Sequence, residues 1–559
     1  MSGETNMGDH LVVTRDQKEL ECIHQESVPR IVTIENIRVL GLDPADEQFY
    51  MSFSAEDRKR ITRKIDIRLI PMLALLYLLS HLDRANIGNA KIEGLLEDLR
   101  LDGIEWNVAL SVFFIPYILL EIPSNMFLKR LRGPSTYLGI LIVTWGIVMT
   151  LTGVVQNFAG LMVTRILLGV FEFGLVCSGD VQFFAVSANN GGPYADALYQ
   201  WNRSGFFPGA VYLCSFWYMP RELSARLACF YCASALSGAF SGLLAAGIVK
   251  MDGVGGCEGW RWIFILEGLA TVVVGVASFF LLIDSPGLSS RWLDADEIRY
   301  LELQLFIKDG GAFEETDQEV NNKQNRLKDL FAVLTNWKMY GFGYILLCQT
   351  ACSYGTKFTL PTITKAMGYS NTNAQFMTVP PYVVGAISAV CFSLLSDRFH
   401  WRMPFVVAPL VMVMIGYSII LSLDGKLGEN TGLALFSMIF VCMGLYPTHP
   451  ATSAWSSSNL PSSNQRSIGL AFNICVGNIG GIIGSFMYID EEGPAYHTGF
   501  GLSVALAGTS LIVALVLDLH FHLQNRKRAG VSEDEIRQQH TGAELMAMGE
   551  KSPLFIYTL

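Results

Sequence analysis

Charged residues are scarce in this chain. Asp, Glu, Lys and Arg make up only 16% of its 559 residues, whereas a soluble domain carries about 25%. Hydrophobic residues account for 51%, and apolar runs of membrane-spanning length recur along almost the whole chain. The composition therefore argues against a soluble globular protein and predicts a polytopic membrane protein.

Other features are missing as well. There is no basic tract of the kind that binds nucleic acid, and no metal-ligand spacing, nucleotide motif or catalytic triad, so we expect neither a nucleic-acid partner nor an enzyme. The first 65 residues contain no cationic start followed by an apolar core, so no cleavable signal peptide is expected. Most of the eleven cysteines lie inside apolar runs, where they are expected to pack as small hydrophobes rather than form a disulfide framework.

The apolar runs predict twelve spanning helices, arranged as six, a hydrophilic linker and six more. We expect the spans near 66–88, 106–125, 136–153, 158–174 continuing in 206–218, 225–249, 262–284, 339–361, 374–395, 405–423, 432–456, 467–488 and 500–521. The predicted segments are an N-terminal tail (1–65), a first six-helix half (66–284), a central loop (285–336), a second half (337–522) and a C-terminal tail (523–559). This layout is typical of two repeats around a central site.

Charge asymmetry between the loops predicts the orientation. If the N-terminus is cytosolic, the inner loops hold Lys129, Arg130, Arg132, Arg221, Arg226, Arg398, Arg402 and Arg466, and the last span is followed by Arg526-Lys527-Arg528. The outer loops are acidic, with Glu93, Glu97, Asp98, Asp102 and Glu105 in the first and Asp490, Glu491 and Glu492 in the last. The positive-inside rule then predicts that both tails and the central loop are cytosolic.

The first span contains an acid and a base side by side, Asp83 and Arg84. The uncharged run before them, from Leu69 to Leu82, is too short to cross about 30 Å of hydrocarbon, which needs about 20 residues. The span must therefore include the pair or begin among the polar residues before Leu69. Charged residues at membrane depth are costly and usually face a cavity or a pathway, so the pair is the first indication of a transporter.

Several motifs together resemble the major facilitator superfamily, and in particular the fungal allantoate-permease-like branch of its anion:cation symporters. They are Leu82-Asp-Arg-Ala-Asn-Ile-Gly-Asn-Ala90, Glu121-Ile-Pro-Ser-Asn125, Arg165-Ile-Leu-Leu-Gly-Val-Phe-Glu172, Gly259-Trp-Arg-Trp-Ile-Phe-Ile-Leu-Glu-Gly268 and Gly477-Asn-Ile-Gly-Gly-Ile-Ile-Gly484. The resemblance runs from about Ile65 to Phe521. It implies an all-α fold of twelve transmembrane helices in two six-helix halves, working by alternating access.

The resemblance also implies a function. Similar proteins carry small organic anions such as allantoate, nicotinate, pantothenate and biotin, generally with protons. We therefore expect a proton-coupled symporter that imports a small carboxylate across the plasma membrane, acts as a functional monomer in the lipid bilayer and needs no cofactor besides the proton gradient. Two alternatives stay open: a facilitator or exporter of an uncharged or cationic metabolite, and a non-transporting sensor or inactive product.

The fourth span departs from the family pattern, in which Phe-Glu-x-Gly runs directly into Phe-Phe-Pro-Gly. Here Phe171-Glu172-Phe173-Gly174 is separated from Phe206-Phe207-Pro208-Gly209 by the 31 residues 175–205, which are polar and rich in turn formers. Irregular backbone cannot lie in hydrocarbon with its peptide groups unsatisfied. Our hypothesis is a translated, unspliced intron or a gene-model error. The alternative is a genuine insertion that loops out of a broken helix.

Arg165 and Glu172 are seven residues apart in the fourth span and thus share one helix face. One interpretation is an ion pair that only holds helices together. The other is that Arg84 and Arg165 bind an anionic substrate, since a guanidinium matches a carboxylate bidentately and stays charged. Asp83 and Glu172 would then carry protons. In related anion symporters an Asp-Arg pair in the first helix and an Arg-x6-Glu pattern in the fourth have these roles.

The second half offers weaker candidates for substrate binding. Lys357 in the seventh span is expected to extend towards water near the outer mouth, or alternatively to be a second anion anchor. His449 lies between Pro447 and Pro450 in the tenth span, where a packing role or a place in the site lining are both open. Asn473 is a polar candidate in the eleventh span, whereas Glu267 in the sixth is expected to be structural.

Two loops at matching positions of the halves combine an acid with nearby cations. The first holds Glu121, Lys129 and Arg130, and the second holds Asp397 and Arg398. Such clusters could join neighbouring helices on the inner side and release them as the halves rock. The alternative is that they are ordinary basic loop residues that follow the topology rule.

Overall fold

The computed structural model describes residues 44–116, 118, 134–172, 213–214, 217–218, 220–283, 286–288, 292–309, 328–399, 401–461, 463–528 and 548–559. Within these ranges the chain is helical and contains no strand. The described residues fall into two compact units, one of 44–64 with 286–309 and one of 65–283 with 328–559.

The described ranges contain sixteen α-helices. They are α1 Pro44–Ser52, α2 Ala55–Ile92, α3 Leu95–Leu99, α4 Gly103–Ser111, α5 Pro134–Thr152, α6 Phe158–Glu172, α7 Pro220–Ile248, α8 Gly259–Leu281, α9 Ala295–Asp309, α10 Trp337–Ala366, α11 Asn371–Met377, α12 Val379–Phe399, α13 Pro404–Ser422, α14 Thr431–Ser458, α15 Ser463–Phe486 and α16 His497–Arg528.

Where the chain is described, these helices coincide with the predicted spans apart from their ends, and they agree with the all-α membrane architecture. The predicted span residues 119–125 and 206–212 lie outside the described residues. Among the described residues, eight segments are long and apolar enough to cross a membrane, and they lie in α2, α7, α8, the α11–α12 pair, α13, α14, α15 and α16. Shorter apolar helices, Gly103–Pro116, Leu138–Thr152 and Phe158–Phe171, take the second, third and fourth positions. The seventh position is taken by α10, which buries the polar side chains Gln349, Thr356 and Lys357.

Helix ends differ from the predicted spans where polar residues continue a helix beyond its apolar part. The first helix, α2, begins at Ala55 rather than near 66, and α16 continues to Arg528 rather than ending near 521. Glu56 and Asp57 lie in the first turn of α2, and basic residues lie in the last turn of α16. These charges stabilise the helix ends through the helix dipole. A search for apolar runs does not detect them, so it places the helix ends too early or too late.

An N-terminal cap fixes the start of α4. The backbone N–H of Glu105 donates to Asp102 Oδ1 at 2.7 Å, and the backbone N–H of Asp102 donates to Glu105 Oε2 at 3.3 Å. This reciprocal capping box satisfies two N–H groups that the helix itself cannot. The acidic residues that helped to predict the orientation therefore also have a local structural role.

In the larger unit, each half is built from closely packed helix pairs. In the first half α5 packs on α8, and in the second α10 packs on α15 and α13 on α14. The halves meet where α7 contacts α12 and where α4 contacts α15. A Cβ at Gly484 of α15 would lie 2.5 Å from Ala351 O of α10, so this pair approaches closely because the position carries no side chain.

The smaller unit joins two segments that are far apart in the sequence. Tyr50 of α1 stacks on Tyr300 of α9 with ring centroids 5.1 Å apart. Lys64 Nζ lies 2.6 Å from Glu297 Oε1, and Arg299 Nη2 lies 2.5 Å from Asp46 Oδ1. Residues 44–64 of the predicted N-terminal tail and 286–309 of the predicted central loop are therefore packed together, although the sequence presents them as separate segments.

The segment 175–205 lies outside the described residues, so the hypothesis of an unspliced intron stays a prediction. The backbone of α6 is continuous as far as Glu172.

The predicted C-terminal tail (523–559) is partly built into the fold. α16 extends through Arg528, and residues 548–559 pack against the second half with Tyr557 buried.

Candidate functional site

Asp83 lies in the interior of α2 and is 4% exposed. Helix α2 is continuous for 38 residues, so the acid–base pair lies inside a long spanning helix as predicted. With Arg84 it borders a cavity of about 390 Å³, a volume that includes its open mouth. The cavity is lined by Asp83, Arg84, Ile87, Leu110, Phe113, Phe114, Trp145, Arg165, Leu168, Tyr354 and Phe358.

This cavity is assembled mainly by the first half. Of the described residues that line it, those of the first half come from α2, the α4 region, α5 and α6, and Tyr354 and Phe358 come from the second half. A Cβ at Gly88 of α2 would lie 2.8 Å from the Phe358 carbonyl oxygen, so α2 and α10 approach closely beside the cavity. The small residue at this position lets the second half close one wall.

Arg84 joins the two halves at the cavity. Its Nη1 donates a hydrogen bond to the Tyr354 hydroxyl, and its guanidinium lies 5.4 Å from the centroid of the Phe113 ring. The Tyr354 ring in turn packs edge-on against Phe114 at 4.8 Å. Sequence reasoning missed Tyr354, although it lies one helical turn before Lys357 and so shares its helix face.

Arg165 of α6 supplies the second positive charge. It is 4% exposed, and its Nε and Nη2 have no hydrogen-bond acceptor among the residues that the structure describes. It lies within electrostatic reach of Asp83 and 6.0 Å from the centroid of the Phe264 ring. A buried guanidinium with open donors beside a cavity suits the carboxylate of a ligand.

Glu172 is the last residue of α6. The helix is continuous from Arg165 to Glu172, so the seven-residue spacing on one helix face holds for the backbone. The Glu172 side chain lies outside the description, and its proposed role in proton transport stays a prediction.

A second buried acid, Glu267 of α8, lies close to Asp83. It is 4% exposed and within electrostatic reach of that carboxylate. Its Oε2 accepts a hydrogen bond from Asn86 Nδ2, whereas its Oε1 has no hydrogen-bond donor in the described ranges. Ser241 Oγ extends the network by donating to Asn86 Oδ1 at 2.8 Å.

Sequence reasoning gave Glu267 a structural role. The contact with Asn86 agrees with a structural role, but the proximity to Asp83 also places Glu267 in the polar cluster beside the cavity. The available signal was a single acid inside an otherwise apolar spanning helix, which by itself indicates a functional position.

Lys357 of α10 lies where the two halves meet. The side chain is 7% exposed, and its Nζ donates to the carbonyl oxygen of His81 in α2 at 3.0 Å. The expectation that this lysine extends into water is therefore wrong, because a backbone carbonyl of the opposite half receives its ammonium. His81 also lies within electrostatic reach of Arg84 and of His449, and Ser234 Oγ lies 3.0 Å from its Nδ1.

Asn473 lies elsewhere. It is fully buried in α15, and its Nδ2 donates to Ser456 Oγ of α14 at 2.8 Å. It does not line the charged cavity in the part of the chain that the structure describes. The structure therefore gives this predicted substrate-binding residue a contact between two helices of the second half.

Comparison with known proteins decides the family. A family model described as the Major Facilitator Superfamily matches residues 197–485. The MFS-type transporter cnsO of Penicillium expansum is 33% identical over 518 residues, which cover 91% of this chain and 92% of that protein. This chain belongs to the major facilitator superfamily. The family confirms that it is a multi-pass membrane transporter and not an enzyme.

Other similar proteins agree with this assignment. The high-affinity nicotinic acid transporter of Saccharomyces cerevisiae is 27% identical over 511 residues, covering 91% of this chain and 86% of that protein. Among solved structures, a bacterial homolog of the human lysosomal transporter Spinster has a TM-score of 0.58 at 15% identity, covering 81% of this chain and 96% of its own. The Escherichia coli xylose transporter XylE has a TM-score of 0.53 at 15% identity, covering 78% and 96%. These structures support the major facilitator fold.

The loops proposed to control opening in this major facilitator are only partly described. Glu121, Lys129 and Arg130 lie outside the described residues. Asp397 and Arg398 lie in the last turns of α12, where Arg398 is exposed and the Asp397 side chain is outside the description. Their role in joining helices stays a prediction.

At the end of the bundle where α2 and α10 terminate, polar contacts join the two halves of this transporter. Gln375 Nε2 donates to Glu93 Oε1 at 2.8 Å, and Asn371 Nδ2 donates to Ile92 O at 3.0 Å. Lys365 Nζ donates to the same carbonyl at 3.3 Å, and Lys91 forms an ion pair with Asp490. We call these four contacts the Glu93-end contacts.

Partial burial raises the pKa of the Glu93 carboxyl above its usual value, although Asn371 and Lys365 oppose that rise.

Proposed function

We propose that this transporter is a proton-coupled symporter that imports a small organic anion by alternating access between its two halves, and that it belongs to the allantoate-permease-like branch of its superfamily. One observation carries the proposal: the guanidinium of Arg165 is buried beside the cavity with two donor nitrogens that lack acceptors among the described residues. A carboxylate is the ligand that best fits such donors.

The charge balance around the cavity supports an anionic substrate. Among the described residues, Arg84 and Arg165 line it together with one acid, Asp83. Lys357 adds a third cation nearby, at the His81 carbonyl, while Glu267 adds a second acid. A carboxylate bound between the two arginines would accept hydrogen bonds from the open donors of Arg165. A cationic substrate would meet two guanidinium groups instead, which disfavours the alternative of a cation carrier.

Proton coupling follows from the position of Asp83 beside Arg165. A bound substrate anion would compete with Asp83 for the positive charge of Arg165, and burial favours the neutral form of a carboxyl group that has lost its cationic partner. Proton binding and anion binding would then assist each other, and this coupling is reciprocal. Asp83 and Glu172 are the proposed proton carriers, with Glu267 as a buried neighbour.

The candidate substrates follow from the relatives. The yeast relative is named as a nicotinic acid transporter, so nicotinate is the first substrate to examine, followed by pantothenate and allantoate. The basic and acidic loops support cytosolic termini. We propose a plasma-membrane location and a monomeric carrier that needs no cofactor besides the proton gradient.

Uptake measurements test this function. Cells lacking their own carriers would express the coding sequence with and without codons 175–205, and labelled nicotinate, pantothenate and allantoate would be supplied across a pH range. We expect saturable uptake of one carboxylate that increases as the outside pH falls and is abolished by a protonophore. Replacement of Glu172 by Gln should abolish proton-driven accumulation but leave substrate exchange.

The control variant replaces Arg526, an exposed cation in the last turn of α16, by Gln and should transport normally. Unchanged pH dependence in Glu172→Gln would refute its assignment as proton carrier. Uptake of only uncharged or cationic compounds would refute the anion symporter. No uptake by either coding sequence, despite normal membrane insertion, would favour the sensor or the inactive product.

A further inference from the structure

The last twelve residues of the chain, 548–559, lie against one end of the second half, where α10 begins and α14 and α16 end. We call them the terminal segment. Tyr557 is 5% exposed and Ser552 is 6% exposed. Burial of these two side chains, in a segment that lies within the predicted tail, indicates specific contacts with the second half.

Two asparagine side chains bind the backbone of the terminal segment. Asn459 Nδ2 donates to Thr558 O at 3.0 Å, and Asn459 Oδ1 accepts from the Thr558 N–H at 2.8 Å. Asn525 pairs in the same way with Tyr557, at 2.7 Å to its carbonyl oxygen and 2.8 Å from its N–H. Trp455 Nε1 also donates to Thr558 O at 2.9 Å. An amide that pairs with both backbone groups of one residue recognises a peptide by its main chain.

Side-chain contacts supply selectivity for the terminal segment. The Tyr557 ring stacks on Phe521 at 4.8 Å with an interplanar angle of 15°. The Tyr557 hydroxyl accepts a hydrogen bond from Lys338 Nζ at 2.9 Å, and the same ammonium pairs with Glu550 Oε2 at 2.8 Å. Lys338 is 6% exposed, so its charge is compensated within the site by the segment itself.

All of these partners belong to the second half. Lys338 begins α10, Asn459 follows α14, and Phe521 and Asn525 lie in α16. The contact extends towards α13, because the Arg402 N–H donates to Leu559 O at 2.5 Å. The terminal segment therefore connects the ends of four helices of one half.

We propose that these helix ends form a peptide-binding site whose ligand is the chain's own terminal segment, and that the bound segment holds α10, α13, α14 and α16 together as the second half moves. Main-chain pairing by Asn459 and Asn525 provides affinity, and the Phe521–Lys338 pocket selects the aromatic residue at 557. The site does not depend on which substrate the transporter carries.

Binding of the segment as a separate peptide tests the proposal. A chain that ends at residue 547 would be purified through an N-terminal tag and titrated with a fluorescent peptide of residues 548–559, with anisotropy as the readout. We expect saturable binding to the shortened chain and little binding to the full chain, whose site is filled. Replacing both Asn459 and Asn525 by Ala should weaken binding about tenfold or more, because two pairs of hydrogen bonds are lost. A peptide of the same composition in scrambled order is the control.

A full-length experiment keeps the proposal testable if the shortened chain does not fold. Carboxypeptidase would be added to the 559-residue chain, and mass spectrometry would follow the release of Leu559, Thr558 and Tyr557. We expect release about tenfold faster from the double Asn→Ala variant than from the unmodified chain, because the variant loses the main-chain pairing. Equal release rates would refute the proposal, as would a folded shortened chain that does not bind the peptide or a full chain that binds it equally well.

Discussion

The two halves of this transporter share an architecture, but their cavities differ in chemistry. The cavity built mainly by the first half is lined by Asp83, Arg84 and Arg165 together with apolar and aromatic side chains. The cavity of the second half has no charged side chain in its lining among the described residues. Its lining is Cys348, Gln349, Cys352, Leu410, Val413, Leu445, Thr448, Ala507 and Ser510.

This difference shows that a repeated fold need not repeat its chemistry. The uncharged groups of the second cavity are largely bound within the protein: Gln349 Nε2 donates to Leu445 O at 3.1 Å, and Thr448 Oγ1 donates to Gly444 O at 2.8 Å. The charge that the second half does contribute near the centre, Lys357, extends to α2 of the first half. Among the described residues, the first half therefore supplies the charged groups that line a cavity. Under the proposed function these groups would bind the anion and the proton.

The largest effect should follow from removing the charge of Arg165. Arg165→Gln keeps a hydrogen-bonding side chain of moderate length but loses the guanidinium, and a hydrogen bond to a charged group contributes about 1.5–3 kcal/mol. Uptake of the carboxylate substrate should fall about 10- to 100-fold, seen as kcat/KM in initial-rate assays. Normal uptake by this variant, at equal surface expression, would show that transport does not require the charge of Arg165. The charge difference between the two cavities would then have no role in substrate binding.

Glu267→Gln should have the next largest effect. An amide oxygen can still accept the hydrogen bond from Asn86, so the packing of α8 is preserved while the titratable group is lost. We expect weaker proton-driven accumulation with near-normal exchange of labelled for unlabelled substrate in vesicles. If accumulation and exchange fall together, Glu267 is a structural residue, as the sequence alone suggested.

The Glu93-end contacts should respond to pH. Burial raises the pKa of Glu93 when the halves touch, so the closed arrangement binds a proton more readily than an open one in which Glu93 is hydrated. The closed arrangement should therefore become more stable as the pH falls. The gain should be complete once the pH is below the pKa that Glu93 has when it is hydrated, and absent when the pH is above the raised pKa of the closed arrangement. Glu93→Gln should abolish this dependence.

Spin labels on both halves would measure this closure. Glu97 and Glu429 are exposed residues at the Glu93 end of the first and second halves, and each would be replaced by Cys in a background whose eleven native cysteines are replaced by Ser or Ala. The distance distribution should shift towards the short population at low pH in the parent protein only. A shift of the same size in Glu93→Gln would assign the pH response to another group.

The smallest effect is expected in the second cavity. Thr448→Val removes a hydroxyl that is already hydrogen-bonded within its own helix, and the two side chains have nearly the same shape. Such an internal hydrogen bond contributes about 1 kcal/mol to stability, and the variant loses this contribution. Uptake should stay within about twofold of the parent rate, because no charged substrate group meets this position. A loss as large as that of Arg165→Gln would show that both cavities bind substrate.

The sequence predicted the fold better than the site. Hydropathy located the spans, because membrane helices must be long and apolar, and it identified Asp83, Arg84 and Arg165 because charges inside such helices are conspicuous. The structure places these three residues around one cavity. The substrate and the direction of transport do not follow from these residues alone.

Contacts between distant helices were not predictable in this way. Three residues join the polar cluster beside the cavity because α2 crosses α8 and α10: Tyr354, Glu267 and His81. A local sequence pattern does not predict which helices cross. Lys357 was expected to reach water because hydropathy predicts only how deep a residue lies in the membrane. It does not predict which helix the side chain faces, and here the side chain faces the His81 carbonyl oxygen of α2. The pairing of α1 with α9 was missed for the same reason, since more than 200 residues separate the two.

The close approach at Gly88 has a consequence for the access cycle. Because a methyl group at this position would come within 2.8 Å of Phe358 O, Gly88→Ala would act as a wedge between α2 and α10. It would raise the free energy of the arrangement in which these helices touch and leave the separated one unaffected. The spin-label pair would report this bias as a longer average distance. One added carbon atom would thus favour the part of the transport cycle in which α2 and α10 are separated.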